Sequence, residues 1–313
     1  MAGLGWRSAF YAHVPLGAVA LLLAWRGLPA EGRGPAPRLD LLGILLLSPG
    51  IAVLLYGLSL SGQAGYGLTS APVWVALAAR TALLAGFALN ARRPGRLPAV
   101  DLRLFRHRPF AVASLLIFLS GASLFGLMFL LPLYYQQARG LDPLRAGLLL
   151  APQGVGMVAA LAVMGALVDR FGPRYLVLAG IIATVVGTLP FTQPGAVDHE
   201  PLLAAALVLR GLGLGAAATP LTAAAYRALP RDEVPQAAGA LVIVQRPGAS
   251  LGTAVLAFVL QQEIGRRAGG GEVEPAALAA AFGHAFWWTV ALSVAALLPA
   301  VALPGRTTTT ATD

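Results

Sequence analysis

Long apolar runs, broken by short polar stretches rich in arginine, repeat along nearly the whole chain. A helix needs about 20 apolar residues to cross the hydrocarbon core of a bilayer. Nine segments reach that length, at about 9–28, 41–60, 71–90, 109–136, 146–168, 175–192, 202–226, 235–260 and 279–303. Backbone polar groups in lipid must be satisfied within the segment, so each run predicts a helix. The alternation that marks a membrane β-barrel strand is absent from these runs. The pattern predicts an all-α, polytopic membrane bundle of about nine transmembrane helices.

The polar stretches set the topology. One set of loops, with the tail, carries Arg26, Arg33, Arg38, Arg92, Arg93, Arg96, Arg103, Arg106, Arg108, Arg170, Arg174, Arg227, Arg231 and Arg306. The opposite set carries Arg7, Arg139, Arg145, Arg266 and Arg267. The excess of positive charge places the first set, and the C-terminus, in the cytoplasm. The count is then nine spans, starting from outside.

Composition agrees with the pattern. Hydrophobic residues make up 58% and charged residues 11%, against about 25% charged in a soluble domain. The net charge of +9 is entirely arginine and sits in short loops, not on one stripe. That placement fits membrane topology better than phosphate binding, so no nucleic-acid partner is expected. With no cysteine there is no disulfide framework, thiolate metal site or cysteine nucleophile. No cofactor motif appears. The first ten residues run straight into a span without a cleavable-signal pattern.

The loop Gly165-Ala166-Leu167-Val168-Asp169-Arg170-Phe171-Gly172-Pro173-Arg174 reads as a tight charged hairpin between two spans. Gly165 would allow close helix approach, and Gly172 with Pro173 would turn the chain. Asp169 could pair with a base or a helix N-terminus. The pattern G-x-x-x-D-R-x-G-x-R resembles the loop motif of the major facilitator superfamily. There it implies a gating loop of Gly165, Asp169, Arg170, Gly172 and Arg174 that latches one conformation of an alternating-access cycle.

Further segments narrow the resemblance. These are Gly5-Trp6-Arg7 with Val14-Pro15-Leu16-Gly17, Pro132 to Gly140, Ala146-Gly147-Leu148, Pro152-Gln153-Gly154, Leu209 to Gly215, and Gln245 to Gly252. Their order is similar to that of 14-helix drug:proton antiporters of the EmrB/QacA type. His13 and the Gln245-Arg246 order depart from that pattern. The resemblance implies a partial major facilitator fold. Residues 1–38 would be the last helix of the N-terminal bundle, and 39–90 two central linker helices. Residues 91–108 would be a basic cytoplasmic connector, 109–304 the C-terminal six-helix bundle and 305–313 a cytoplasmic tail. About five N-terminal helices would be missing. The connector's Asp101-Leu102-Arg103-Leu104-Phe105-Arg106 is either an amphipathic element on anionic headgroups or a topological charge cluster.

Ionisable groups at bilayer depth are costly and usually functional. Arg80, Arg210 and Arg246 qualify. The resemblance implies that the helix of Arg210 lines a central cavity, where it could meet substrate or a carboxylate of the missing half. A structural arginine bonded to carbonyls is the equal alternative. Arg246 precedes Pro247, whose ring frees a carbonyl, and Arg80 would snorkel or seat the central pair. Gln153, Tyr134, Ser123 and Thr219, with Ser120 and Thr222, are candidates for a substrate path. Packing or backbone bonding is the commoner use of such groups. Trp287 and Trp288 read as interface anchors.

All carboxylates fall in loops or at span edges. Proton antiport needs a protonatable group that changes exposure, so the coupling carboxylate is expected in the missing helices. His13 and His284 are the remaining titratable candidates. Gly248-Ala249-Ser250-Leu251-Gly252 matches a hydrolase elbow but continues as apolar helix, so it reads as Gly-x-x-x-Gly packing. The glycines at 211–215 and 154–156 follow no soluble strand and do not read as dinucleotide sites. No enzyme chemistry is expected. The expected function is proton-coupled efflux of amphipathic drugs or other small organic compounds by alternating access. The partners would be the substrate, protons, the bilayer and the missing N-terminal helices, and the site the plasma membrane. A non-transporting remnant or structural membrane protein is the alternative.

Overall fold

The computed structural model describes residues 11, 13–27, 86, 102–193, 199–227, 229–268 and 274–303. The two central spans, Arg80, the tail and most of the basic connector lie outside the described residues. The chain divides into two compact units, 1–38 and 39–313. In the first, α1 covers His13–Gly27 and exposes Val19, Leu21, Leu23 and Trp25.

In the second unit, six helices are long and apolar enough to cross a membrane. They are α2 (Arg108–Leu133), α3 (Pro143–Phe171), α4 (Pro173–Thr188), α5 (Glu200–Arg227), α6 (Val234–Ala268) and α7 (Pro275–Ala295). A short α8, Leu297–Val301, continues α7. No strand occurs among the described residues. The helices match the predicted spans closely, with one difference. The span expected at 235–260 runs to Ala268, because the helix passes through Glu263 without breaking.

Helix ends follow local chemistry. Asp142 caps α3 by accepting from the backbone N–H of Leu144 at 3.0 Å and of Arg145 at 3.2 Å. Proline stands in the first turn of α2, α3, α4 and α7, where its missing N–H costs nothing. The apolar part of the connector forms a short 3₁₀ turn, Leu102–Arg106. It buries Leu104 and sets Phe105 edge-on to Phe110 at 5.2 Å, leaving Arg103 and Arg106 exposed. α2 ends in a π-helical turn, Tyr134–Ala138, and α4 in a 3₁₀ turn, Leu189–Thr192.

Lipid offers no hydrophobic drive for helices to associate, so small residues that let backbones touch decide the packing. α5 lies between α3 and α4. Its Gly215 faces α3, where an added Cβ would stand 2.8 Å from Met157 O; its Gly213 faces α4, 2.7 Å from Thr184 N. A second pair forms between α2 and α6. There Gly248 and Gly252 rest on the backbone of Phe118 and Ala122, and a Cβ added at Gly121 would stand 2.8 Å from Gln245 O. The Gly-x-x-x-Gly reading of 248–252 therefore holds.

Two apolar cores result. One, around Phe110, Leu116, Val177, Leu221, Leu241 and Leu303, fills the end bearing the α3–α4 hairpin. The other fills the far end, where Tyr134 lies within 5.4–6.2 Å of the rings of Tyr135, Phe191, Phe282 and Phe286. Gly213→Ala is expected to force α4 and α5 apart. Overpacking of this kind costs about 1–3 kcal/mol, so the variant should melt at lower temperature in detergent. An unchanged midpoint would show that the contact does not matter.

Candidate functional site

A cavity of about 230 Å³ lies in the hairpin half of the bundle. α2 contributes Ile117, Ser120 and Leu124, and α3 contributes Met157. α5 supplies Leu214, Ala217, Ala218, Leu221, Thr222 and Tyr226, and α6 supplies Ala238, Leu241, Val242 and Gln245. The wall is mostly apolar, with a few hydroxyls and one amide. Such a surface holds an amphipathic molecule by area and orients it with few hydrogen bonds.

Of the residues singled out by sequence, Ser120 and Thr222 line this cavity. Arg210, Gln153, Tyr134, Ser123 and Thr219 are not on its wall. Tyr134 is buried in the far-end aromatic cluster. The backbone carbonyl of Thr219 accepts from the Thr222 hydroxyl at 2.9 Å.

Arg210 is wholly buried. It stands ten residues into α5, about 15 Å along a helix long and apolar enough to cross a membrane. Its Nη1 donates to Gln153 Oε1 on α3 at 3.0 Å, and its Nη2 to Ser123 O on α2 at 3.3 Å. Nε has no partner among the described residues. No carboxylate pairs with this charge in the described part. The arginine is held by neutral acceptors and cross-links three helices.

Arg246 has the opposite setting. It is exposed on α6, beside the cavity residue Gln245, with no hydrogen bond or ion pair among the described residues. Sequence reading left Arg210 equally open to a cavity or a structural role and favoured a structural one for Arg246; the structure buries the first against Gln153 and Ser123 and exposes the second.

The gating-loop residues form the α3–α4 hairpin. Gly172 adopts φ 78°, which glycine tolerates, and Pro173 opens α4. Gly165 does not serve close helix approach in this unit: a Cβ there would meet no atom within 4 Å. Arg170 lies 5.3 Å from the Phe171 ring centre. The Nε of Arg174 is buried without a partner among the described residues. The side chains of Asp169 and His13 are outside the described part.

One expectation needs correction. Glu263 is neither in a loop nor at an exposed span edge. It is 3% exposed inside α6. Arg266 and Arg267 contact it at 3.3 and 3.2 Å, and His284 Nε2 of α7 lies 3.7 Å away. Sequence reading ended the span at residue 260 and so treated Glu263 as flanking. The Arg266-Arg267 pair one turn later was the signal that the helix could carry a neutralised acid deeper. At the same end, Arg139 pairs with Glu200 at 3.1 Å and lies over the Tyr135 ring at 5.6 Å. Trp287 and Trp288 are about half exposed, as lipid or interface contacts require.

A six-helix membrane bundle in which α5 is clasped between α3 and α4 is compatible with several transporters, and comparison with known proteins decides among them. The model of the Major Facilitator Superfamily matches residues 1–253. The chain belongs to that superfamily. It is 35% identical over 260 residues to a multidrug resistance protein B homolog of Mycobacterium tuberculosis, covering 82% of this chain and 48% of the relative. It is 30% identical over 265 residues to the drug efflux pump JefA of the same organism, covering 84% and 51%. The chain thus spans about half the length of the curated relatives it matches. Among solved structures, the nucleoside transporter NupG resembles it with a TM-score of 0.53 at 14% identity, over 82% of this chain and 65% of NupG. That likeness supports the major facilitator fold.

Replacing Arg210 by lysine keeps the charge but removes the planar fork that reaches two helices at once. Arg210→Lys should lower the melting midpoint by several degrees, since one of the two acceptors loses its donor. An unaltered midpoint would sink the cross-link.

Proposed function

We propose that this chain forms the C-terminal part of a 14-helix efflux transporter, a carrier and not an enzyme, which exports amphipathic organic compounds in exchange for protons. The observation that carries the reading is the apolar cavity with its few polar groups, in a chain whose relatives include named multidrug resistance and efflux proteins. Alternating access uses two bundles rocking about a midplane site. This bundle supplies one wall of that site, with Met157, Thr222, Tyr226 and Gln245. The α3–α4 hairpin is the latch, placed at the cytoplasmic membrane surface by its arginines.

Proton coupling is assigned to groups outside α2–α7. Glu263 is the buried carboxylate described in this bundle, and two arginines of its own helix neutralise it. Its role here is structural, tying the end of α6 through Arg266 and Arg267. The protein sits in the plasma membrane with its C-terminus in the cytoplasm.

A dye-efflux assay tests the reading in cells expressing the longest reading frame that contains this chain. Met157→Trp, which fills the cavity, should reduce efflux at least several-fold with surface expression unchanged. Asp169→Asn should also impair efflux, by loosening the latch. Glu263→Gln should leave the dependence on the pH gradient intact. Normal efflux by Met157→Trp would remove the cavity from the account. Uncoupled efflux by Glu263→Gln would move the proton site into this bundle.

A further inference from the structure

Behind the main cavity lies a small recess of about 20 Å³. It shares Ser120, Leu214 and Ala217 with the cavity wall and is otherwise lined by Leu119, Ser123, Ile181, Thr184, Ser293 and Ala296. Ser123, Thr184 and Ser293 come from α2, α4 and α7, and each is at least nine-tenths buried.

The hydroxyl protons can be assigned. Ser293 Oγ lies 3.0 Å from Thr289 O and donates its one proton there. The contact between Ser123 Oγ and Ser293 Oγ, at 2.9 Å, must then be donated by Ser123. Thr184 Oγ1 donates to Gly180 O at 2.8 Å. All three buried hydroxyls have spent their protons on protein acceptors, and the oxygens of Ser123 and Thr184 keep lone pairs unused by any described donor. The Ser120 hydroxyl has no side-chain hydrogen bond among the described residues and remains a donor.

The recess therefore offers acceptors to a small donor, with one donor in return. Its volume exceeds the ~10–15 Å³ that a water needs, and a buried water makes about three hydrogen bonds. A cation suits it poorly, because the guanidinium of Arg210 bonds the backbone of Ser123. We propose that the recess binds one ordered water molecule, which donates to Ser123 Oγ and Thr184 Oγ1 and accepts from Ser120. This water joins α4 to the polar line that already runs from Gln153 through Arg210 and Ser123 to Ser293. The line then crosses five helices of an otherwise apolar bundle.

Thr188 supplies an internal reference. It is buried on the same helix and makes the same bond to the carbonyl four residues back, Thr184 O at 2.7 Å, but it does not line the recess. Thr184→Ala and Thr188→Ala remove the same atoms and the same backbone bond. In the purified chain in detergent, Thr184→Ala should lower the melting midpoint by roughly 2–4 °C more than Thr188→Ala. Equal losses, or a larger loss for Thr188→Ala, would overturn the proposal. A map that resolves ordered water gives the direct reading. A peak within hydrogen-bond distance of Ser123 Oγ and Thr184 Oγ1 supports the site, and an empty recess refutes it even if neither variant folds.

Discussion

Backbone contact through glycine is the constraint on which this bundle depends. In lipid the apolar side chains gain little by leaving one neighbour for another. Helices hold together where their backbones approach closely enough for dispersion to accumulate. α5 meets that condition on two sides, with Gly215 against α3 and Gly213 against α4. α6 meets it against α2 through Gly248 and Gly252. These contacts produce two tight groups, and the space between them in the hairpin half is the cavity. In the far half, the described rings of Tyr134, Phe191, Phe282 and Phe286 pack against one another.

The polar groups follow from that packing. Where three helices touch through small residues there is room for one long side chain, and Arg210 occupies it. Its charge is costly at this depth, and the bonds to Gln153 and Ser123 offset part of that cost by fixing α2, α3 and α5 to one another. A cross-link of this kind ties three helices of the bundle to one another. Arg246, by contrast, is exposed on α6 next in sequence to the cavity residue Gln245.

Helix positions were legible in the sequence because uninterrupted apolar runs have no other stable form in lipid. The hairpin was legible too, since Gly172 at φ 78° and Pro173 can serve little else at that point. The faces were not. Helices that are apolar nearly all round carry no periodicity that says which side turns inward. Hence Ser120 and Thr222 reached the cavity wall while Ser123, one turn from Ser120, turned into the core. Glycines told more than polar residues did, because a missing side chain marks the contact directly. Gly165 shows the limit of that signal: it belongs to a recognisable motif yet touches nothing within this unit. Glu263 was misread because a charge ordinarily ends a hydrophobic run, and only the helix beyond it shows the acid neutralised and buried.

The central claim is that the cavity between the two helix groups is a water-accessible substrate site. The chain contains no cysteine, so a single introduced thiol reports without background. Thr222→Cys places that thiol on the cavity wall. The account predicts that a water-soluble maleimide labels it in membranes, and that an exported dye slows the labelling several-fold. A thiol that resists labelling, or one whose labelling the dye leaves unchanged, would contradict it.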